Sequence, residues 1–463
     1  MQPKRGNRFS DLKARKKYSI SPKSLNCATQ KVKIDKSATK SVRRRKHFLI
    51  ALACIIGFVF AVMAIFSRTQ LYNLVALSAM VRNEDIIVGF QNSAELRPTG
   101  GFWGSFAIWE VKGSILNSEL AFETNPYKMD NKILNETNVP LPEPMAQTWQ
   151  DRPQSFVNAN WSFDFPQAAR TIEWYFSQGW DRKSDGVIAI SSLAFIDLLK
   201  LTGEIQIDEE TSINSENFTQ IMSEKIDEQY WLDPKNKEIN EPKTLIKELF
   251  PKVATKLKDI PKWKLIPYCL SQIHKGRIIA FFNDQRKQEI CEKIKISGKT
   301  LESQSDYLSV INANLNGGKS SLNIEQSIDY LVSKNESESL QARLQVKRFH
   351  RSNLWPQILN RNYQRVVVPL GSKLISAKLS EEDITSTIDI KTENSKTVFG
   401  YWFSVDPGEE KTVELVYELP LKAKSNYFLI YQKQAGTISE HLNIVRFSRK
   451  VFEGNFDRSS KVF

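Results

Sequence analysis

The sequence predicts a membrane-anchored chain with two folded regions. These are an α/β region, in which a mixed sheet has helices on both faces, and a C-terminal all-β sandwich. Three observations predict this arrangement. Residues 48–66 carry no charged side chain, strand and helix patterns alternate over residues 85–313, and period-two patterns dominate after residue 325. Alternating strands and helices are typical of a sheet with covered faces, and regularly spaced short strands are typical of a sandwich.

The apolar run predicts a single N-terminal transmembrane helix. At about 1.5 Å per residue, a helix over 48–66 spans a hydrocarbon core of about 30 Å. A cleaved signal peptide is disfavoured because the preceding basic stretch is long and no small-residue cleavage site follows. A buried core helix rarely keeps every face apolar. The basic flank at 43–46 places the N-terminus in the cytoplasm and the bulk outside the plasma membrane.

The predicted domains follow from this topology. We expect a disordered basic cytoplasmic tail over 1–47, the transmembrane helix over 48–67, an extracytoplasmic α/β domain over 68–324 and an extracytoplasmic β-sandwich over 325–463. Nearly 400 residues outside the membrane are too many for one ordinary core.

The net charge of the chain belongs to the tail. Residues 1–47 hold sixteen Lys/Arg and two acids, a charge of +14, so the total of +13 leaves −1 for the remainder. The expected partners are therefore the lipid bilayer and anionic lipid head groups at the tail, or a cytoplasmic protein docking there. No nucleic acid is expected, because a nucleic-acid-binding domain carries basic charge on a folded face.

Individual elements of the α/β region have clear signals. Strands are predicted at 85–91, 102–111, 114–122, 187–190, 204–207, 277–282 and 307–313, and helices at 165–179, 193–201, 215–230, 243–258 and 262–275. Asp164 precedes the first helix as a candidate N-cap, and Gly203 ends the second. A proline-rich stretch at 123–156 is predicted to be a functional loop or lid.

The C-terminal region reads as strands. They are predicted at 340–349, 363–368, 384–390, 397–405, 412–417 and 427–432. Cys269 and Cys291 are the two cysteines predicted to lie outside the membrane. They either form a disulfide or remain two buried thiols.

Three local patterns are candidate binding sites. The first is the connection after the first strand, where Arg97 offers a planar fork for phosphate or carboxylate and Gly100 and Gly101 allow close backbone approach. Glu95 and Thr99 flank them. The alternative is a Glu95–Arg97 salt bridge over a tight turn.

The other two patterns lie near a helix start and in a glycine-rich turn. Asn158, Asn160 and Asp164 precede the helix at 165–179, whose N-terminus attracts anions, although Asp164 as a plain N-cap is favoured. Asn316 and Lys319 lie in a Gly-Gly turn that is either an anion site or a surface turn. Two GK[ST] fragments, at 298–300 and 318–320, lack the upstream glycine of a P-loop.

Several motifs carry a resemblance to a known family. They are ELRPTGGF at 95–102, NANWSFDFPQAA at 158–169, DGVIAI at 185–190, SINSENF at 212–218 and NLNGGKS at 314–320. With these motifs the chain resembles an uncharacterised family of bacterial membrane-anchored envelope proteins, a domain of unknown function, over about residues 85–463. More distantly, it is similar to LytR–CpsA–Psr phosphotransferases, which transfer glycopolymers from a polyprenyl-pyrophosphate lipid to the cell wall.

The distant resemblance implies an activity. It implies that Arg97 clamps a pyrophosphate and that Asp164 lies near Mg²⁺. Two hypotheses therefore remain open. One is a non-catalytic envelope protein that binds glycan or protein, slightly favoured because no complete catalytic set is present. The other is a phosphotransferase acting on lipid-linked polymer.

Overall fold

The computed structural model describes residues 70–113, 118–123, 126–136, 138–150, 152–180, 182–239, 244–335, 339–422 and 427–463. The predicted basic tail and the predicted transmembrane helix at 48–67 lie outside these ranges. Within them, no helix is both long enough and apolar enough to cross a membrane.

The first part of the described chain mixes helices and strands. Its helices are α1 (Gln70–Met80), α2 (Pro126–Glu136), α3 (Glu143–Ala146), α4 (Phe165–Trp180), α5 (Ser192–Thr202), α6 (Phe218–Ser223), α7 (Pro234–Ile239), α8 (Thr244–Lys258), α9 (Lys262–His274) and α10 (Gln285–Lys293). Its strands are β1 (Glu84–Asn92), β2 (Phe102–Val111), β3 (Ser118–Glu123), β4 (Gly186–Ser191), β5 (Ile205–Gln206), β6 (Ser212–Ile213) and β7 (Ile278–Phe282). A 3-10 helix at Phe156–Trp161 precedes α4.

Five of these strands form a mixed sheet in the order β3-β2-β1-β4-β7. The β1–β4 pair is parallel and the other pairs are antiparallel. Side chains of α2 and α4 pack with one face of the sheet, and side chains of α1, α9 and α10 pack with the other. The prediction of a mixed α/β sheet covered on both faces is therefore confirmed.

The start of α5 shows how local sequence produces an element. Ser191 ends β4, and its Oγ accepts a hydrogen bond from Leu193 N at 3.1 Å, so it caps the helix. Gly203, with φ 75°, ends the helix. The predicted strand at 204–207 shrinks to the two residues of β5, which pair with β6 and not with the main sheet.

The remaining strands form two larger sheets. They are β8 (Asp306–Asn314), β9 (Ile324–Lys334), β10 (Ser339–His350), β11 (Asn360–Pro369), β12 (Lys373–Leu379), β13 (Glu382–Asp383), β14 (Asp389–Glu393), β15 (Lys396–Val405), β16 (Glu410–Lys422), β17 (Leu429–Gln432), β18 (Glu440–Arg446), β19 (Arg449–Phe456) and β20 (Ser460–Val462). Their orders are β13-β12-β16-β10-β9-β18-β19 and β14-β15-β11-β8-β17-β20.

The two sheets share one hydrophobic core, to which buried side chains of both contribute, as in a sandwich. Strand β8 pairs with β11 and β17, so the strand-rich part begins at Asp306 and not at residue 325. The boundary was misplaced because an apolar strand gives no signal of which sheet it will join. The predicted strand at 384–390 is also wrong, since Thr385–Thr387 is a 3-10 turn between β13 and β14.

The two described cysteines are free thiols. Cys291 is buried beside α1, and Cys269 on α9 is half-buried. Burial raises the pKa of the Cys291 thiol to about 12, so this thiol is held in its neutral form. Of the two alternatives, the structure therefore shows unbridged thiols.

Candidate functional site

The connection between β1 and β2 is fixed by hydrogen bonds from the side chains of Gln91 and Asn160. Asn160 Nδ2 donates to Thr99 Oγ1 and to the Gly101 carbonyl, both at 2.8 Å. Gln91 Nε2 donates to the same Thr99 hydroxyl at 2.8 Å. Thr99 and Asn160, both predicted to bind ligand, are buried and fix the shape of this loop.

The two glycines of the loop allow backbone to approach backbone. A Cβ on Gly101 would lie 2.5 Å from the Asn92 carbonyl carbon, and one on Gly100 would lie 3.0 Å from Gly436 Cα. Gly436 belongs to the loop between β17 and β18, so Gly100 packs against the strand-rich part. The predicted close approach exists, but its partner is this chain itself.

Arg97 is buried at the same junction. Its Nη1 donates to the Leu96 carbonyl at 3.1 Å and to the Asn314 carbonyl at the end of β8. The guanidinium lies 5.5 Å from the ring centre of Phe102 and 5.7 Å from that of Trp149. Burial lowers the pKa of Arg97 to about 10, and the nearby Glu95 carboxylate partly opposes this shift. The side chain remains a cation at neutral pH.

Arg97 lines a cavity of about 560 Å³ whose wall mixes charged, polar and apolar side chains, and which we call the polar cavity for its charged residues. Glu95, Asp130, Arg152 and Asn158 also line it. Among the described residues, no acceptor lies within hydrogen-bond distance of Arg97 Nε, and Asn158 Oδ1 is likewise buried without a donor. Two arginines and unsatisfied polar atoms make this cavity suited to an anionic, hydrogen-bonding group.

Asp130 is a buried carboxylic acid of the cavity that the sequence patterns do not indicate. It lies on α2, and its Oδ1 accepts a hydrogen bond from Phe156 N at 2.6 Å. Burial raises the pKa of Asp130 to about 6, against the lowering effect of its backbone hydrogen bonds. Because α2 and α3 lie within the stretch at 123–156, that stretch forms part of the cavity wall. Its helical signal, Pro126 followed by Met129 and Ile133 at i,i+4 spacing, was present in the sequence.

A second cavity, of about 600 Å³, is mainly apolar. It lies between one end of the five-stranded sheet and helices α5, α6 and α8. Phe90 of β1 and Phe195 of α5 contact Phe250 of α8, with ring centres 4.8 and 5.6 Å apart. Leu198 and Val253 line the same space.

The two cavities share part of their walls. Glu95, Phe102 and Tyr127 line both of them. Glu95 also pairs with Lys319, whose Nζ lies 3.5 Å from its Oε1, so this predicted turn lysine reaches the boundary. An apolar cavity thus adjoins a second cavity of similar volume that contains arginine.

Asp164 and Asn316 lie elsewhere. Asp164 Oδ1 accepts from Thr300 N at 2.7 Å and its Oδ2 accepts from Gln167 N at 3.3 Å, so it caps α4 and holds the 298–300 loop. Asn316 is exposed in a turn with φ 67°. Neither residue lines the Arg97 cavity. Glu95, Arg97, Asn158 and Lys319 are the predicted residues that line one or both cavities.

The described residues offer no metal centre. No group of three or more His, Cys, Asp or Glu side chains placed to hold a metal occurs among them. The carboxylates of the polar cavity are already engaged, Asp130 by Phe156 N and Glu95 by Lys319. The described residues therefore form no metal site from protein ligands alone, and the Mg²⁺ that the phosphotransferase resemblance implies would have to be held by Glu95 or Asp130 together with water and substrate phosphates.

Part of the chain is similar to a known protein family. Residues 82–226 match a family model described as Protein of unknown function (DUF4012). This match covers β1 to α6, including the Arg97 loop, and supports a domain-of-unknown-function family. No curated protein matches the chain.

Similarity to solved structures is weak. A "putative nutrient binding protein" from Legionella pneumophila aligns with 30% of this chain and 54% of its own, at 7% identity and TM-score 0.22. An M1 zinc metallopeptidase from Deinococcus radiodurans aligns with 27% of this chain and 32% of its own, at 10% identity and TM-score 0.17. The chain thus spans about half and about a third of these proteins.

Proposed function

We propose that this chain is a single-pass membrane-anchored protein of the bacterial cell envelope. Its extracytoplasmic region binds a lipid with an anionic head group, such as a lipid-linked glycan, without transferring it. The hydrocarbon chain occupies the apolar cavity and the head group occupies the polar cavity. The predicted transmembrane helix keeps this region beside the bilayer that supplies the lipid.

The observation that carries the proposal is the common wall of the two cavities. A ligand that fills both is expected to be apolar at one end and anionic at the other. Burying a hydrocarbon chain contributes about 0.8 kcal/mol per CH₂ group. The Arg97 and Arg152 guanidinium groups then supply charge-assisted hydrogen bonds for the head group.

Binding without transfer is favoured by how the polar groups are used. Arg97 donates to two backbone carbonyls, and Asp164, predicted to lie near a metal, is used in capping α4. Phosphoryl transfer depends on positioned cations and a nucleophile or base at the reacting group. The phosphotransferase alternative is therefore placed second.

The test uses the full chain held in amphipol. Native mass spectrometry measures binding of dodecyl phosphate and, separately, of inorganic phosphate. We expect dodecyl phosphate to bind at least tenfold more tightly, because inorganic phosphate leaves the apolar cavity unused. Lipid co-purified with the chain is identified by extraction and mass spectrometry.

Two variants assign the ends of the ligand. Leu198→Trp fills the apolar cavity and should weaken dodecyl phosphate binding more than tenfold, whereas Ile375→Trp on the exposed face of β12 should not change it. Arg152→Gln should weaken it about fivefold, the effect of about 1 kcal/mol, with exposed Arg449→Gln as its control.

The outcomes separate the two functions. Equal affinities for dodecyl phosphate and inorganic phosphate, or no effect of Leu198→Trp, would contradict the lipid proposal. Transfer of glycopolymer from a polyprenyl-pyrophosphate donor by the full chain would support the phosphotransferase alternative instead.

A further inference from the structure

Helices α8 and α9 meet at a corner formed by residues 258–267. Their inner sides contribute to the apolar cavity through Val253, Leu257 and Tyr268. Ile273, near the end of α9, is buried against the sheet. The corner itself points away from this packing, and most of its residues are exposed.

The corner exposes large apolar side chains. Trp263 is 70% exposed and Ile266 is 41% exposed. The other exposed tryptophans whose side chains the structure describes are less exposed than Trp263. The most exposed of them, Trp174, is 41% exposed. A tryptophan with this much free surface gains by contact with an apolar or interfacial environment.

The same corner is positively charged. Lys258, Lys262 and Lys264 are exposed, and Asp259 is the acid between them, so residues 258–267 carry a net charge of +2. No carboxylate of the described residues pairs with these three lysines. The Lys264 ammonium lies 5.3 Å from the Trp263 ring centre, so cation and aromatic ring share one surface.

We infer that this corner, residues 258–267, docks against an anionic bilayer surface. Tryptophan rings prefer the head-group level of a membrane, and lysines beside them are attracted to anionic lipids. The charge complementarity selects a lipid surface rich in anionic head groups over a neutral one. This inference rests on the proposed membrane anchorage. It adds a route for the lipid from the bilayer to the apolar cavity, because the helices that contact the bilayer also line that cavity.

The position of the tryptophans makes a direct test possible. All ten tryptophans of the chain lie at or after Trp103, so none belongs to the predicted membrane segment. The full chain is reconstituted in nanodiscs containing about one-third anionic lipid, with or without lipid brominated near the glycerol. Bromine quenches tryptophan fluorescence only at contact distance.

We expect the brominated lipid to quench the wild-type chain and Trp263→Phe to lose that quenching. Trp174→Phe is the matched control, because Trp174 is also exposed but lies on α4, and its quenching should match the wild type. Lys258→Gln, Lys262→Gln and Lys264→Gln combined should reduce the quenching at least twofold, as should nanodiscs of zwitterionic lipid alone.

Quenching that is absent in the wild type, or that Trp263→Phe leaves undiminished, overturns the inference. Equal quenching in zwitterionic and anionic nanodiscs overturns its electrostatic part. Failure of the proposed function looks different. A chain that shows Trp263 quenching but neither co-purifies with lipid nor binds dodecyl phosphate contradicts the lipid-binding proposal alone.

Discussion

The junction around the Arg97 loop and the apolar cavity beside it are built in opposite ways. At the junction, Gln434 Nε2 donates to the Arg97 carbonyl at 3.0 Å, Asn314 N donates to the Leu96 carbonyl at 2.9 Å, and glycine backbones touch. The cavity instead keeps about 600 Å³ between aromatic and aliphatic side chains. The junction around the Arg97 loop is close-packed, and the apolar region beside it contains a cavity.

This difference shows that a conspicuous sequence motif can mark a packing junction and not a ligand site. ELRPTGGF draws attention because arginine and paired glycines suit ligand binding, yet most of its residues join the α/β part to the strand-rich part. The space for a ligand comes from helices α5, α6 and α8, whose sequences show only ordinary amphipathic spacing. The motif contributes one polar edge, Arg97, to the site beside it.

The largest expected effect tests the close-packed junction. Gly436 has φ 64°, and a Cβ there would lie 2.4 Å from the Gly100 carbonyl oxygen. Gly436→Ala should therefore lower the free energy of unfolding by about 4 kcal/mol, from about 1 for the left-handed conformation and up to about 3 for overpacking. Denaturant unfolding of the full chain in detergent, followed by tryptophan fluorescence, measures this.

Gly203→Ala is the matched control. Gly203 has φ 75° at the end of α5, but nothing lies within 4 Å of the position of its Cβ. This variant bears the conformational cost alone, about 2 kcal/mol, because φ 75° with ψ −170° is a backbone conformation that glycine alone adopts readily. Equal losses in the two variants would show that the junction is not closely packed.

The second prediction concerns the polar cavity beside the Arg97 loop, which Asp130 lines. Its pKa is raised to about 6, whereas an unfolded aspartate titrates near 4. Between these values the folded state binds more protons, so stability falls as pH rises. The contribution of Asp130 to the free energy of unfolding is fully present below about pH 4 and is lost as the pH rises through about 6. Its size is on the order of 3 kcal/mol, because the pKa is raised by about two units.

Asp130→Asn should remove this share of the pH dependence, measured by denaturant unfolding at pH 4 and pH 7. Asp306→Asn is the comparison, because burial also raises the pKa of Asp306 to about 6, in the core of the strand-rich part. Each single variant should keep the contribution of the other aspartate. An unchanged pH dependence in Asp130→Asn would show that this carboxyl is not desolvated at the cavity wall.

Much of the fold could be predicted from the sequence because local patterns decide it. Strands β1 and β2 and helices α4, α5, α8 and α9 match their predictions to within a few residues, since apolar periodicity and capping residues lie within each segment. Partner choice is not local. The assignment of β8 to the α/β domain and the absence of β18 from the prediction both involve pairings with strands far along the chain, whereas β19, also missed, pairs with the adjacent β18.

The site was less predictable than the fold, because its cavities depend on contacts between residues that are far apart in the sequence. Arg97 was identified because guanidinium chemistry is visible in a single residue. The apolar cavity is lined by side chains such as Phe90 and Phe250, which contact each other although they lie 160 positions apart in the sequence. Asp164 was misleading because its capping role at α4 and a metal-binding role call for the same residue type at the same place.

The smallest expected effect compares packing at two buried valines. Val253 lines the apolar cavity and Val332 lies in the core shared by the two large sheets, and both are nearly inaccessible. Val332→Ala should cost about 2 kcal/mol in unfolding free energy, since it removes two methyl groups' contacts and leaves a void. Val253→Ala should cost about 1 kcal/mol, because the side chain already borders empty space.

Urea unfolding measures the loss of stability in both variants. Adding dodecyl phosphate should increase the loss at Val253 alone, because the ligand in the cavity then makes contacts with valine that alanine lacks. Equal losses at the two valines, with and without that ligand, would mean that α8 is packed as tightly as the strand-rich core.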